Sequence, residues 1–285
     1  MSIEDSLFHT KKTLNLNGNL VSLGTPQVIG ILNVTPDSFF KDSRVENEQN
    51  ILSQAKKMLD AGAIALDIGG YSSRPNAEDI SIETEIARVV PAIELILKSF
   101  PDAYLSIDTF RSEVAKAAVK AGACIINDIS GGQLDNQMFD TVAGLNVPYI
   151  LMHMKGNPQT MISLANYKNV TKEVAQYFGE KCRILFNKGV KDIILDPGFG
   201  FAKGKEQNYE LLKNLSYLKM LNLPIMAGIS RKSMIYKNLD IQPEDALNGT
   251  TALHMTGLMN GASLLRVHDV KEAVETVKLF KLTYP

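Results

Sequence analysis

Cysteine is scarce: 285 residues hold only Cys124 and Cys182. With no CxxC and no metal-ligand spacing, they exclude a disulfide framework and a cysteine-held metal centre. They read as two buried thiols in a reducing compartment. Charge of one sign is lacking too, since 30 Lys+Arg against 31 Asp+Glu leave a net charge of −1. No global field then favours nucleic acid or an anionic membrane, and any anion must be held by local groups. No apolar run approaches the roughly 20 residues that a membrane helix needs. Glu4 and Asp5 precede Lys11-Lys12 with no apolar core between them, unlike a signal peptide. A cytoplasmic location is therefore expected, with neither nucleic acid nor membrane as partner. Linkers and low-complexity segments are missing as well. At 45% hydrophobic and 21% charged residues the composition is ordinary for a globular chain, and one domain over 1–285 is expected.

Short β-branched runs alternate with amphipathic stretches. Strands are predicted at Val28–Asn33, Ile64–Ile68, Tyr104–Asp108, Cys124–Asn127, Pro148–Met152, Asp192–Leu195, Pro224–Ala227 and Ser263–Arg266. Several are apolar without alternation, as strands buried on both faces of a parallel sheet are. Apolar stripes at helical spacing lie between them: Ile51, Ala55, Met58 and Leu59, then Ile86, Val89, Val90, Ile93 and Ile96. A third stripe, Val114, Ala117, Ala118 and Ala121, follows a cap signal at Asp108-Thr109. Gly62, Gly122, Gly189 and Gly261 recur just before strands, where a left-handed residue stops a helix. Eight βα units with such stops predict an α/β chain closed into a single (β/α)₈ (TIM) barrel over 27–281. Residues 1–26 fit no βα unit. There, Leu14, Leu16, Leu20 and Val21 around Asn17-Gly18 predict a β-hairpin closing the bottom of the barrel.

Seven of the eight strands end on or run into polar residues, among them Asn33, Asp67, Asp108, Asn127-Asp128, Asp196, Ser230-Arg-Lys-Ser233 and Arg266-Val-His-Asp269. In a barrel these termini converge on the C-terminal mouth, where active sites lie. Asp108, Asn127 and Asp196, with Lys232 as a flexible cation, suit a flat heterocycle whose edge carries N–H and amino donors beside a carbonyl. Arg74, Arg266, His268 and Asn33 suit a phosphate or diphosphate, with a cation held by the amide or by the anion itself. The segments 35–43 and 69–75, rich in Gly, Pro and Ser yet carrying aromatics and charge, are candidate active-site lids. The run Asp196–Lys205 looks like a phosphate loop, but its glycine spacing is one residue short and Glu206 replaces the required hydroxyl. His9 and His254 read as structural, and His153, at the end of strand 5, has no assigned step.

Taken together, Val28-Ile-Gly-Ile-Leu-Asn-Val-Thr-Pro-Asp-Ser-Phe39, Gly69-Gly-Tyr-Ser-Ser-Arg-Pro75, Ser106-Ile-Asp-Thr109, Ile126-Asn-Asp-Ile129, Leu151-Met-His-Met154, Asp196-Pro-Gly-Phe-Gly-Phe201, Ser230-Arg-Lys-Ser233 and Arg266-Val-His-Asp269 resemble dihydropteroate synthase, in that family's order, over roughly 26–280. The resemblance implies a (β/α)₈ barrel that condenses 6-hydroxymethyl-7,8-dihydropterin diphosphate with p-aminobenzoate and releases diphosphate. It puts Asp108, Asn127, Asp196 and Lys232 on the pterin. Asn33, Arg266 and His268 fall on the diphosphate, with Mg²⁺ at Asn33. Phe39, Ser73, Arg74, Phe201 and Ser233 lie near p-aminobenzoate, and Asp37, Phe39 and Arg74 belong to two mobile loops. Asp37 joins Asn33, Asp108, Asp196, Lys232 and Arg266 as catalytic. A homodimer and sulfonamide sensitivity are also implied. The second loop departs from the family pattern at Tyr71, Ser73 and Asn76, which stand where Glu, Thr and Gly are usual.

The resemblance further implies early C–O cleavage to a pterin methyl cation, then attack by the amine. Three rival readings remain: the pterin-binding barrel of a methyltetrahydrofolate:corrinoid methyltransferase, a non-catalytic synthase homologue, and a Schiff-base lyase on Lys232.

Overall fold

Asn17 and Gly18 both take positive φ, 50° and 85°. A two-residue hairpin turn of the twist-matched kind requires this of its two central residues. Around that turn β1 (Thr13–Leu16) and β2 (Asn19–Ser22) pair antiparallel. The structure, a computed structural model, describes residues 11–34, 44–72, 79–161 and 163–284.

Eight parallel strands follow: β3 (Gln27–Asn33), β4 (Ala65–Gly69), β5 (Tyr104–Asp108), β6 (Ile125–Asp128), β7 (Tyr149–Met152), β8 (Ile193–Asp196), β9 (Met226–Ala227) and β10 (Leu264–Val267). Their order is β8-β7-β6-β5-β4-β3-β10-β9. One parallel bridge, Leu195↔Ile225, joins β8 to the chain entering β9, and Leu195 N–H donates to the Pro224 carbonyl at 2.8 Å. This contact closes the ring. Between the strands run α1 (Arg44–Asp60), α2 (Ile82–Ser99), α3 (Ser112–Lys120), α4 (Met138–Leu145), α5 (Val170–Asn187) and α6 (Lys205–Lys213). The short α7 (Ser233–Tyr236), then α8 (Leu247–Met259) and α9 (Val270–Thr283), complete the outer layer.

Successive residues of a strand point to opposite faces, so alternate positions enter the ring. At its bottom Ile29, Ala65, Ile125, Ile150, Ile194, Met226 and Leu264 form one apolar layer, and Leu14, Leu16 and Leu23 of the hairpin segment pack into it. Two residues further along several of these strands stand Asp67, Asn127, Asp196 and Arg266. The same period thus turns an apolar floor into a polar mouth. Outward positions such as Leu32, Leu66, Ile68 and Leu105 pack against the helices in the larger core.

All four glycines of the helix-stop repeat adopt positive φ, between 88° and 117°. Cys124 and Cys182 are buried and unpaired, and His254 is buried in α8. His9 lies outside the described residues.

Three local expectations are corrected. Leu20 points to solvent, because in the hairpin register it opposes Asn15 on the outer face while Leu14 and Leu16 take the inner one. The seventh strand shrinks to Met226–Ala227, since Pro224 has no N–H to give to a ladder. Asp108 and Thr109 do not cap α3. Arg111 occupies the cap position, and the Ser112 amide goes instead to Asp135 Oδ2 at 2.7 Å.

Truncating Leu16, which is 1% exposed at the plug, is expected to lower stability by about 2–5 kcal/mol. Urea denaturation of Leu16→Ala measures it, and a loss below about 1 kcal/mol would mean that the hairpin is a loose lid.

Candidate active site

The mouth of the ring holds a cavity of about 400 Å³. Its central contact spans three strands. From β10, Arg266 donates through Nε to Asp67 Oδ2 on β4 and through Nη2 to Asp108 Oδ2 at the end of β5, both at 2.6 Å. Asp67 Oδ2 also accepts from Asn127 Nδ2 on β6 at 2.8 Å. The Asp67 side chain is fully buried, and its Oδ1 has no hydrogen-bond partner among the described residues. Two carboxylates thus share one guanidinium, one of them fully buried and the other, like Arg266 itself, partly open to the cavity. Burial pushes the Asp108 carboxyl up to about 7, with Arg266 opposing the shift and the negative charge of Asp67 adding to it.

Opposite, Asp196 ends β8, is 4% exposed and accepts from the Gly198 amide at 2.8 Å. Burial raises its pKa against the pull of Lys232. Lys232 Nζ donates to the Phe199 carbonyl and sits 4.7 Å from the centre of the Phe201 ring. Burial draws its pKa down to about 8, partly countered by Asp196. Gly228 lies between the two: a Cβ there would stand 3.6 Å from Asp196 Oδ2 and 3.8 Å from Lys232 Nζ.

Lys232 is aimed by its neighbour. Arg231 takes φ +55°, rare for a residue with a side chain. It is held there by a two-pronged bond to Asp269, 2.8 Å on each prong, and by its amide donating to Thr250 Oγ1 at 3.1 Å.

His268 opens on the cavity from the far end of β10. Ser230 Oγ accepts from the His268 backbone N–H at 3.2 Å and lies 3.1 Å from Nδ1. The hydroxyl and Nδ1 share one hydrogen, which either can supply, so the contact holds the ring in place in both neutral tautomers. Desolvation by the surrounding protein and the charge of Arg266 lower its pKa to about 4, so the ring is neutral near pH 7. Asn33, at the end of β3, is exposed at the rim and its Oδ1 lies against Gly69. Ile31, Ile129 and Met152 add apolar wall, and Tyr71 and Ser72 line the edge.

The structure thus brings Asn33, Asp108, Asn127, Asp196, Phe201, Lys232, Arg266 and His268 to one cavity. Ser233, first in α7, is not among its lining residues. Asp37, Phe39, Ser73 and Arg74 lie outside the described residues. Asp67 received no role from sequence, although its place two residues after the inward Ala65 was a signal that could have found it.

The arrangement offers carboxylates, an amide and a cation around the edge of a flat ring held between apolar surfaces, with a second cation beside them.

Residues 29–268 match the family described as pterin binding enzyme. The dihydropteroate synthase of Escherichia coli (strain K12) is 40% identical over 268 residues, covering 93% of this chain and 94% of that one. The Yersinia pestis dihydropteroate synthase, solved with a sulfonamide drug complex, superposes with a TM-score of 0.89 at 39% identity, over 95% of this chain and 98% of the other. The Xanthomonas albilineans dihydropteroate synthase with 4-aminobenzoic acid gives 0.87 at 36% identity, over 96% and 98%.

The Asp108 value sits above its ordinary one. Its ionisation therefore opposes folding, and stability present at low pH is lost as pH rises towards 7. Removing the neighbouring negative charge with Asp67→Asn is expected to move the Asp108 midpoint below that of the parent, read by ¹³C carboxyl NMR. An unmoved midpoint would sever the link between the two acids.

Proposed function

The chain belongs to the dihydropteroate synthase family of pterin-binding enzymes, and from that premise we propose which of its residues do the work. It condenses 6-hydroxymethyl-7,8-dihydropterin diphosphate with p-aminobenzoate to give 7,8-dihydropteroate and diphosphate in folate synthesis. The observation that carries the residue assignment is the convergence of Asp108, Asn127, Asp196 and Lys232 on one cavity with apolar walls.

In this reading the carboxylates of Asp108 and Asp196 accept the N–H and amino hydrogens of the pterin edge, while Asn127 and Lys232 serve its acceptors. Arg266, His268 and Asn33 take the diphosphate. As a neutral imidazole, His268 suits a phosphate oxygen in the tautomer that carries its hydrogen on Nε2. Arg266 couples the two ends of the substrate. While it grips Asp108 Oδ2, that oxygen has less to offer a pterin. A diphosphate that draws the guanidinium away frees the oxygen for the ring, so the intact ester engages both halves of the site.

Mg²⁺ fits this set through the substrate. Among the described residues no group of three acidic, His or Cys side chains could hold a metal, and Asn33 contributes one amide oxygen. A magnesium ion commonly binds through substrate phosphates and water with few protein ligands. When bound it supplies Lewis-acid neutralisation of the departing charge. The C–O bond breaks with its electron pair leaving on the diphosphate, and the carboxylates of Asp108 and Asp196 stabilise the positive charge left on the pterin methylene. The arylamine nitrogen then donates its lone pair to that carbon and afterwards loses a proton to solvent. Phe201 and Ser233, with Phe39, Ser73 and Arg74, are proposed to hold the p-aminobenzoate, and Asp37 to take part in catalysis. A homodimer in the cytoplasm completes the reading. Among the described residues no helix is long and apolar enough to cross a membrane.

Steady formation of 7,8-dihydropteroate with an equal amount of diphosphate is expected only when pterin diphosphate, p-aminobenzoate and Mg²⁺ are all present; undiminished turnover without the metal would overturn the scheme. Asp196→Asn is expected to weaken pterin binding in calorimetry by about 10²-fold or more while the folded circular-dichroism spectrum persists. Parent-like affinity in that variant would remove Asp196 from the pterin edge.

A further inference from the structure

The loop after β8 crosses into the left-handed region at every second residue: Gly198 at φ +68°, Gly200 at +81° and Ala202 at +49°. Ala202 has a Cβ, and such a conformation persists only where the surroundings over-determine it. Asn208 Oδ1 accepts from the Gly200 amide at 2.7 Å and the Tyr167 hydroxyl donates to the Ala202 carbonyl at 2.9 Å, while Lys203 gathers the two ends of the loop. The Lys203 side chain is buried, and Nζ lies 3.0 Å from the Gly198 carbonyl, 3.0 Å from the Phe201 carbonyl and 3.0 Å from His153 Nδ1, with the His153 carbonyl further off at 3.4 Å. An ammonium has three hydrogens, and here it finds three acceptors at one distance. All of them are neutral, and no carboxylate of the described residues forms an ion pair with it.

His153 is built to be one of these acceptors. It is 2% exposed just after β7, and its amide donates to the Asp196 carbonyl at 2.9 Å. The ring stands edge-on to Tyr177 at 4.9 Å between centroids. Burial and the charge of Lys203 push its pKa down to about 2, so the ring stays neutral throughout the working range, and beside an ammonium the Nδ1 position takes the acceptor role. Gly198 presses on the same spot, where a Cβ would stand 2.1 Å from the His153 carbonyl oxygen.

The loop that these bonds tie down carries Phe199 and Phe201. On its cavity side Lys232 donates to the Phe199 carbonyl and lies over the Phe201 ring. On its far side Lys203 grips the carbonyls of Gly198 and Phe201. Two lysines thus clasp the loop from opposite faces, one reaching the cavity and one hidden behind it.

We propose that Lys203 and His153 are a buried positioning pair that sets the Phe201 ring as the wall of the arylamine pocket. Neither residue is required to touch substrate, and both act through the backbone between Gly198 and Phe201. The proposal rests on the reading of Phe201 as part of the p-aminobenzoate site.

The test compares the Michaelis constant for p-aminobenzoate with calorimetric affinity for the pterin diphosphate in five full-length variants. Phe201→Leu alone checks the underlying reading: an unchanged arylamine constant there would refute the Phe201 assignment itself. With that constant raised, Lys203→Met and His153→Leu are each expected to raise it at least tenfold while pterin affinity stays within threefold of the parent. His153→Gln, which restores a neutral acceptor for the ammonium, is expected to return to within threefold of the parent. The double variant Lys203→Met/Phe201→Leu is expected to be no worse than the more impaired single variant, because both remove the same wall. Parent-like kinetics in Lys203→Met, equal losses for pterin and arylamine, or no rescue by glutamine would overturn the proposal. If Lys203→Met fails to fold, the contrast between His153→Leu and His153→Gln decides alone.

Discussion

Everything at the mouth of this barrel is organised around one guanidinium shared between two acids. Arg266 spans Asp67 and Asp108, and Asn127 leans on the same Asp67 oxygen. Removing any member would leave a buried charge or donor uncompensated, which costs far more than the net worth of the pair. With Asp67, Asp108 and Asp196 ionised against Arg266 and Lys232, three negative charges face two positive ones. That imbalance is eased by a proton on Asp108, whose pKa near 7 places the exchange in the physiological range. A substrate edge rich in hydrogen-bond donors eases that excess of negative charge, while an anionic tail competes with the acids for Arg266.

This charged layer is tolerable because of what lies beneath it. Ile29, Ile125, Ile150, Ile194, Met226 and Leu264 make the floor, and the hairpin leucines seal it from below. The low dielectric that this apolar layer provides is what raises the carboxylate values above it and draws Lys232 down. Fold and chemistry meet along each strand, where two residues of advance separate packing from catalysis.

Much of this was legible in the residues themselves. The parallel strands announced themselves by β-branched runs ending in Asn, Asp or Arg, and the hairpin by Asn17-Gly18. What escaped did so for physical reasons. Asp67 was placed among the polar residues at the mouth, but nothing in β4 itself, where it stands between the apolar Leu66 and Ile68, pairs it with Arg266 nearly two hundred positions away. Asp108-Thr109 carries a cap signature, yet Thr109 donates to Glu85 and Asp108 turns inward to Arg266. Local preference for a cap was overridden by long-range charge pairing. The Lys203–His153 contact joins residues fifty positions apart, and no local pattern announces it.

The ring is fastened unevenly. Most neighbouring strands are knit by ladders, but β8 meets the chain before β9 through the lone bridge at Leu195 and Ile225. Asp196 stands at the end of one bank of this seam, and Lys232 follows the other. Acid and cation thus face each other across the stretch of the circumference that carries the fewest backbone hydrogen bonds, where strand ladders do least to fix their separation. A planar guest slightly wider than the natural one meets the least resistance from strand ladders along this stretch, which makes the seam the direction in which the binding surface yields.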